Sequence, residues 1–259
     1  MNIVVLVKQV PDTATERKLN EEDNTLDRAA SDGVINELDE YAVEEALQLK
    51  EKHGGEVTVL TMGPDKAKDT IRKALSMGAD RAVWVKDDAL HGSDALQTAY
   101  ALSKALGSIE YDVVVLGSES TDARTGVLGA ALAEYLGVPQ LTLAGKVDVD
   151  GSAIKVQRQT DYGHDVVEAQ LPAVVSVVEK INEPRYPSFK LIMQAKKKPV
   201  EEKTAADLGI ETEKIGLANA TTETVDFAAA PPRAAGTIVK DEGDGGSKVA
   251  DFLAEKKFV

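Results

Sequence analysis

Short apolar runs alternate with longer amphipathic stretches through the first half of the chain. Residues 3–7 and 57–62 are continuous runs rich in β-branched residues and leucine, which is typical of strands covered on both faces. Between them, residues 38–52 repeat apolar side chains at helical spacing, with charges on the opposite face. The alternation continues with a helix at 65–78, a strand at 82–85, a helix at 93–106 and a strand at 113–116. This order predicts right-handed βαβ crossovers and an α/β fold with a parallel, Rossmann-like sheet flanked by helices.

The pattern changes after residue 139. Residues 147–159 and 165–170 alternate polar and apolar side chains around a turn at 161–163, which predicts a small β-hairpin addition. Beyond residue 203 the chain is rich in Ala, Thr, Glu, Pro and Gly, and a short amphipathic helix is predicted near its end. We therefore predict an α/β domain over residues 1–200 and an extended C-terminal arm over residues 201–259.

Composition excludes several functions. The 259 residues include no cysteine, so disulfides, cysteine-bound zinc and cysteine-ligated iron–sulfur clusters are excluded. A net charge of -14 argues against a nucleic-acid partner, because neutralisation of phosphates dominates that affinity. No apolar stretch approaches the roughly 18 residues that span a membrane, and the first residues lack a signal-peptide pattern, so we expect a cytoplasmic protein without membrane insertion.

Catalytic and metal sites are not predicted. The three histidines are far apart in sequence and lack metal-ligand spacing, and we expect them at the surface. The chain has no Gly-x-Ser-x-Gly nucleophile elbow, and a cysteine nucleophile is excluded by composition. These observations favour a binding or carrier protein over an enzyme.

A glycine-containing loop over residues 117–129 follows the predicted strand at 113–116 and leads into an apolar helix. Gly126 and Gly129 would let the backbone approach a ligand, and the helix N-terminus favours an anion such as phosphate. Arg124 could add a charge and Thr125 a hydroxyl. In the alternative interpretation, Asp122 or Thr125 only caps the helix and the glycines make the turn. Neither a dinucleotide fingerprint after the first strand nor a Walker lysine motif is present.

A second unusual segment begins at Asn182. Two prolines bracket Arg185 and Tyr186, and Phe189 precedes a predicted helix that ends in three lysines. A loop stiffened by proline and carrying aromatic side chains either packs locally or serves as an interface anchor that loses little entropy on docking. The sequence pattern leaves both alternatives open.

Taken together, these motifs resemble the β subunit of electron transfer flavoproteins, over essentially the whole chain. The most specific motif is Asn182-Glu183-Pro184-Arg185-Tyr186 followed by Ile192-Met193 and Ala195-Lys196-Lys197-Lys198. Other matching motifs are Val7-Lys8-Gln9-Val10-Pro11-Asp12, Asn36-Glu37-Leu38-Asp39, Met62-Gly63-Pro64, Leu171-Pro172-Ala173-Val174 and the run from Ile71 to Arg81.

The resemblance implies a non-catalytic electron carrier. In that family a heterodimer forms with an α subunit that holds the redox-active FAD, and the β subunit binds an adenine nucleotide, usually AMP. The heterodimer takes electrons from acyl-CoA and related flavoprotein dehydrogenases, as in fatty-acid β-oxidation, and passes them to a quinone oxidoreductase. The resemblance also implies an adenine-nucleotide-α-hydrolase-like sheet and an arm that wraps the α subunit.

Site residues follow by position from the same resemblance. The nucleotide would lie near Leu6, Asn36, Glu37, Leu38, Asp39, Met62, Gly117, Ser118, Asp122, Arg124, Thr125, Gly126, Val127, Leu128 and Gly129. The loop that docks the dehydrogenase would present Tyr186, Phe189, Ile192 and Met193. Phe189 stands where the family normally has a leucine anchor.

Departures from the family pattern define the alternatives. Flavin-bifurcating relatives bind a second FAD in the β subunit through a loop resembling Asp-Gly-Asp-Thr-Ala-Gln-Val-Gly-Pro, whereas residues 122–130 read Asp-Ala-Arg-Thr-Gly-Val-Leu-Gly-Ala. Arg124 in place of an acid favours AMP over a second FAD. Thr13 stands where some relatives carry an aromatic beside the flavin of the α subunit. An ATP-using enzyme of similar sheet topology is disfavoured, because residues 10–13 lack the Ser-Gly-Gly-x-Asp-Ser loop of such enzymes.

Overall fold

Strands and helices alternate along the first part of the chain in the computed structural model, which describes residues 1–233, 236 and 238–259. The strands are β1 (Asn2–Leu6), β2 (Gln9–Pro11), β3 (Gly33–Ile35), β4 (Glu56–Met62), β5 (Arg81–Val85), β6 (Val113–Gly117), β7 (Gln140–Asp150), β8 (Ala153–Thr160), β9 (Gly163–Gln170), β10 (Ala173–Val177) and β11 (Val200–Lys203). The helices are α1 (Glu37–His53), α2 (Ala67–Met77), α3 (Ala95–Leu106), α4 (Leu128–Leu136), α5 (Phe189–Ala195) and α6 (Gly245–Glu255).

The main sheet confirms the predicted fold class. Its strand order is β11-β5-β4-β1-β6-β10-β7-β8-β9, and every pair from β11 to β7 is parallel. From β1 the chain passes first to β4 and β5 on one side of the sheet. It then returns to β6 on the other side of β1, so the direction of winding reverses between β1 and β6. A ligand crevice is expected at that reversal, beyond the carboxyl ends of the strands.

Burial explains the continuous apolar runs in the central strands. Ile3 and Val5 face the layer that contains α1 and α2, whereas Val4 and Leu6 face the layer that contains α3 and α4. Both faces of β1 are therefore in contact with helices, and each side chain from Ile3 to Leu6 is at most 5% exposed. A strand covered on both faces needs apolar residues at successive positions, because neighbouring side chains point to opposite faces.

The antiparallel addition has one strand more than the predicted hairpin. Residues 147–159 do not form a single strand, because the chain turns between β7 and β8 at Gly151, whose φ is +58°. β7, β8 and β9 pair in antiparallel order and extend the parallel sheet. A second, two-stranded antiparallel sheet joins β2 to β3.

The chain divides into two compact units, Met1–Val225 and Asp226–Val259. The first unit thus extends past residue 200, where the sequence pattern predicted the arm to begin. β11 pairs with β5, and Ala205, Ile210 and Ile215 are buried in the apolar cluster that includes α3. A few well-placed apolar side chains are enough to bring this segment onto the core, although its overall composition is polar.

The second unit contains α6, which confirms the amphipathic helix predicted near the end of the chain. The helix ends at Glu255, so Phe258 lies outside it. Val249 and Phe252 on α6 are more than half exposed. Ala234, Ala235 and Thr237 of the predicted arm lie outside the described residues. Among the described residues, no helix is long and apolar enough to cross a membrane.

Candidate functional site

The carboxyl ends of β4, β1 and β6 lie side by side at the reversal of the sheet. Leu6 ends β1, Met62 ends β4 and Gly117 ends β6, so three of the predicted site positions come together at one edge. Helix α1 follows β3, and α4 follows β6 through the loop over residues 118–127. The structure therefore brings the loop predicted from its glycines next to the first turn of α1.

Asn36 joins this loop to α1. It is 1% exposed and precedes α1, but its side chain does not cap its own helix. Instead, Nδ2 donates to the carbonyl of Glu119 and to Oδ1 of Asp39, at 2.9 Å each, and Oδ1 accepts the backbone N–H of Thr121 at 3.0 Å. The backbone N–H of Asn36 donates to the carbonyl of Lys8. One buried amide thus fixes the loop after β6 against the chain after β1.

Gly117 is required by the close approach of α1 to β6. A Cβ atom at this position would lie 2.6 Å from Oδ1 of Asp39 and 2.8 Å from Cβ of Leu38. It would also lie 2.9 Å from the backbone carbonyl carbon of Leu38, an atom that cannot rotate away. The predicted site residues Gly117, Leu38 and Asp39 are therefore packed against one another.

Asp39 is a buried carboxyl group at the centre of these contacts. Its Oδ2 accepts the backbone N–H of Lys8 at 2.8 Å, and its Oδ1 accepts Nδ2 of Asn36. Burial raises the pKa of Asp39 to about 7, against the opposing effect of the hydrogen bonds from Asn36 and Lys8. Burial therefore favours the protonated form of this carboxyl group.

Asp122 holds two cations beside the loop. Nζ of Lys8 lies 2.7 Å from its Oδ1, and the guanidinium of Arg28 lies 3.3 Å from its Oδ2. Burial disfavours the charge on Asp122, but Lys8, Ser120 and Arg28 together outweigh it and keep the pKa of the carboxyl group below its ordinary value. Burial lowers the pKa of Lys8, and its contact with Asp122 opposes this effect. Lys8, Arg28 and Asp122 together have a net positive charge at the edge of the loop, which the neighbouring Asp39 offsets in part.

Lys8 and Arg28 were not among the predicted site residues. Lys8 could have been found, because it follows β1 directly and must lie at the carboxyl edge of the sheet. Arg28 comes from the long connection between β2 and β3, whose path no periodic pattern indicates.

Helix α4 begins without a side-chain cap. Among the described residues no side chain accepts a hydrogen bond from its first turn, so the alternative that Asp122 or Thr125 caps the helix is wrong. Asp122 is used by Lys8 and Arg28, and Thr125 is exposed. Gly126 has a φ of +64°, which glycine adopts without strain. The first N–H groups of α4 are thus left to a ligand or solvent.

Other predicted positions surround this helix start. The hydroxyl of Thr121 is buried without a hydrogen-bond partner among the described residues, so the loop holds a polar group that a ligand could satisfy. Gly129 lies in the first turn of α4 and is buried, whereas Arg124 is exposed and places its guanidinium 3.3 Å from Glu119. The remaining predicted residues are Ser118, which donates its N–H to Val177, the exposed Glu37 and Val127, and the partly buried Leu128.

The comparisons with known proteins address the resemblance directly. A family model described as the electron transfer flavoprotein domain matches residues 23–208. The chain is 54% identical to the electron transfer flavoprotein subunit beta of Mycobacterium leprae, covering 100% of this chain and 99% of the relative. The chain belongs to the electron transfer flavoprotein family. It is also 54% identical to the subunit beta of Mycobacterium tuberculosis H37Rv over the same shares, and 40% identical to that of Thermoanaerobacterium thermosaccharolyticum over 92% of each chain.

The electron transfer flavoprotein domain covers both segments that the sequence pattern singled out. The loop over residues 117–129 and the segment over residues 182–198 lie within the match. In the second segment Tyr186 is 93% exposed and Phe189 is 79% exposed, while Ile192 and Met193 are each more than 40% exposed. These four side chains are therefore not packed in the interior, and the segment presents them to solvent. We call residues 182–193 the docking segment, after the role that is proposed for them below.

Proposed function

We propose that this chain is the β subunit of a heterodimeric electron transfer flavoprotein. In this proposal it pairs with an α subunit and carries electrons from acyl-CoA and related flavoprotein dehydrogenases towards a quinone oxidoreductase. FAD, held mainly by the α subunit, would supply the redox chemistry. This chain would contribute binding, positioning and docking, without a catalytic residue of its own.

The second part of the proposal is that the loop over residues 117–129 holds the phosphate of a structural AMP. The observation that carries it is the uncapped start of α4 at the reversal of the sheet, beside a loop that Asn36 and Asp122 already fix in place. The buried hydroxyl of Thr121 offers a further polar contact. An anion suits this position, because the helix dipole and the excess charge of Lys8 and Arg28 both favour negative charge.

The charged groups of the loop favour AMP over a second FAD. The loop offers one helix N-terminus and, among its own residues, one exposed cation, Arg124, which suits a single compact phosphate group. A second FAD would make the protein a flavin-bifurcating relative, which is the alternative function. The ATP-using enzyme is not favoured by any contact at this site.

Cofactor analysis tests the proposal. The chain is co-expressed with its candidate α subunit, and the FAD and AMP released by denaturation are quantified by chromatography. We expect one FAD and one AMP per heterodimer. Two FAD and no AMP would replace the simple carrier by the bifurcating alternative, and the absence of both flavin and heterodimer would reject the proposed function.

A further inference from the structure

Arg185 connects the docking segment to helix α1 through two glutamates. Its Nε and one terminal nitrogen donate to the two carboxylate oxygens of Glu44, at 2.7 and 2.9 Å. The other terminal nitrogen donates to Glu51 at 2.6 Å. The backbone N–H of Arg185 also donates to Glu44, at 3.1 Å. This bidentate geometry fixes the orientation of the guanidinium as well as its position.

The two glutamates differ in environment. The side chain of Glu44 is 5% exposed, whereas that of Glu51 is 60% exposed. Burial disfavours the charge on Glu44, but Arg185 and Gln48 together outweigh this and hold the pKa of Glu44 below its ordinary value. Arg185 is therefore the counter-charge that allows Glu44 to stay ionised in the interior. Glu51 adds a solvent-screened contact of much smaller value.

The docking segment and the residues that follow it have further attachments, which include the packing of α5 against α2 through the buried Ala195. Nδ2 of Asn182 donates to the carbonyl of Tyr41 and to Glu45, both on α1, at 3.1 Å each. Beyond the segment, Nζ of Lys198 donates to the carbonyls of Leu75 and Ala79 at the end of α2. The exposed aromatic residues Tyr186 and Phe189 lie between these attachments.

We propose that Arg185 is a positioning residue, which holds the docking segment against α1 so that Phe189 is presented to a flavoprotein dehydrogenase in a fixed orientation. This inference rests on the proposed docking function. Tyr186 and Phe189 have almost no contacts of their own to hold them, since they are 93% and 79% exposed. Their direction is set by the backbone, and at Arg185 the backbone is attached to α1 by both its N–H and its side chain.

The test uses the heterodimer with its α subunit and the variants Arg185→Lys and Arg185→Gln/Glu44→Gln. Lysine keeps the charge but cannot contact both carboxylates in the same geometry, and the double variant avoids leaving a buried, unpaired Glu44. The backbone N–H of residue 185 donates to Glu44, whereas Pro184 and Pro187 have no N–H. Because the contacts that hold this N–H are weakened, we expect hydrogen exchange of the amide at residue 185 to rise about tenfold in both variants. Glu51→Gln is the matched control, and its exchange should change less than about twofold.

A second readout measures docking. With an acyl-CoA dehydrogenase as electron donor, we expect the apparent KM for the heterodimer to rise about tenfold in the Arg185 variants. A segment that is mobile before docking loses conformational entropy when it binds, which weakens the complex. The maximal rate should stay within about twofold, since no residue at a reacting centre changes. A loss confined to thermal stability, with exchange and KM unchanged, would overturn the positioning role.

The two readouts separate this inference from the proposed function. Unchanged exchange of the amide at residue 185 in the double variant would show that Arg185 does not hold the segment. Increased exchange, with KM unaltered both in the Arg185 variants and in Phe189→Ala, would overturn the docking function, and with it the assignment of Arg185 to docking. Increased exchange together with a raised KM would support both.

Discussion

Substitution of Gly117 by alanine should disrupt the contact between β6 and α1. The new methyl carbon would lie 2.6 Å from Oδ1 of Asp39, 2.8 Å from Cβ of Leu38 and 2.9 Å from the carbonyl carbon of Leu38. Carbon atoms in contact are normally 3.5–4.0 Å apart, so α1 and β6 must separate by roughly an ångström locally. Because Leu38 contributes a backbone atom, no change of rotamer relieves the overlap.

The expected cost follows from this overlap. Adding a methyl group to a well-packed interior costs about 1–3 kcal/mol, and we expect the upper part of that range because the obstacle is partly backbone. The displacement would also move Asn36 and Asp39 away from Glu119 and Thr121, which the hydrogen bonds of Asn36 now hold. Gly117→Ala should therefore lose bound nucleotide as well as stability.

Gly129→Ala is the matched control for stability in the same loop. A Cβ atom there would meet Leu116 at 3.6 Å and Ser176 at 3.7 Å, which are ordinary van der Waals distances. Since Gly129 lies within α4, alanine should be neutral or stabilising by up to about 1 kcal/mol.

Urea denaturation followed by the fluorescence of Trp84, the one tryptophan of the chain, measures the free energy of unfolding of each variant. Chromatography of the denatured heterodimer measures its retained AMP. If Gly117→Ala unfolds within about 0.5 kcal/mol of the parent and retains its nucleotide, the packing argument is refuted.

Three further predictions concern single groups. Folding raises the pKa of Asp39 from 3.8 to about 7, so between these pH values the folded state binds a proton that the unfolded state has lost, and the free energy of unfolding falls as pH rises. Asp39→Asn should remove a pH dependence of the free energy of unfolding on the order of 4 kcal/mol. Urea-denaturation profiles that run parallel across pH for the two proteins would contradict this. Asp122→Asn leaves Lys8 and Arg28 without their carboxylate partner. Because both cations are more than a third exposed, we expect urea denaturation to show a free energy of unfolding lower by only about 1 kcal/mol, and chromatography to show weaker retention of AMP. Phe189→Ala should slow reduction by the dehydrogenase in stopped-flow measurements without changing heterodimer assembly or flavin content, since Phe189 is 79% exposed; equal rates would remove it from the interface.

Local sequence patterns predicted most of the fold. The apolar runs and helical spacings predicted the ends of the central strands and of α1 to within one or two residues. A strand covered on both faces is apolar at every position, so its sequence is easy to identify. Helix starts were predicted less closely: α2 begins at Ala67 and not at 65, and α3 begins at Ala95, capped by Asp94, and not at 93. The turn between β7 and β8 was missed because alternation continues through it.

Non-local contacts were harder to predict from the residues alone. The resemblance named Asn36, Asp39 and Asp122 as site residues, but no spacing in the sequence shows that Asn36 bonds to a loop more than 80 residues away or that Arg28 reaches Asp122. The burial of Ile215 was likewise not predicted, because the residues around it are mostly polar. Such contacts depend on the path of irregular connections, which hydrophobic periodicity does not encode.

Helix α1 contacts two separate segments of the chain, and this fixes the number of residues between the two points of contact. Its N-terminal end, at Asn36 and Asp39, holds the loop after β6, while Glu44 and Glu51 further along hold Arg185. From Asn36 to Glu44 the helix rises about 12 Å, and each inserted residue would turn Glu44 by about 100° around the axis. A single insertion or deletion in this stretch would point Glu44 away from Arg185 while Asn36 kept its own contacts. The rotational phase of one helix thus ties the two segments together, so the number of residues in this stretch is constrained as well as its side chains.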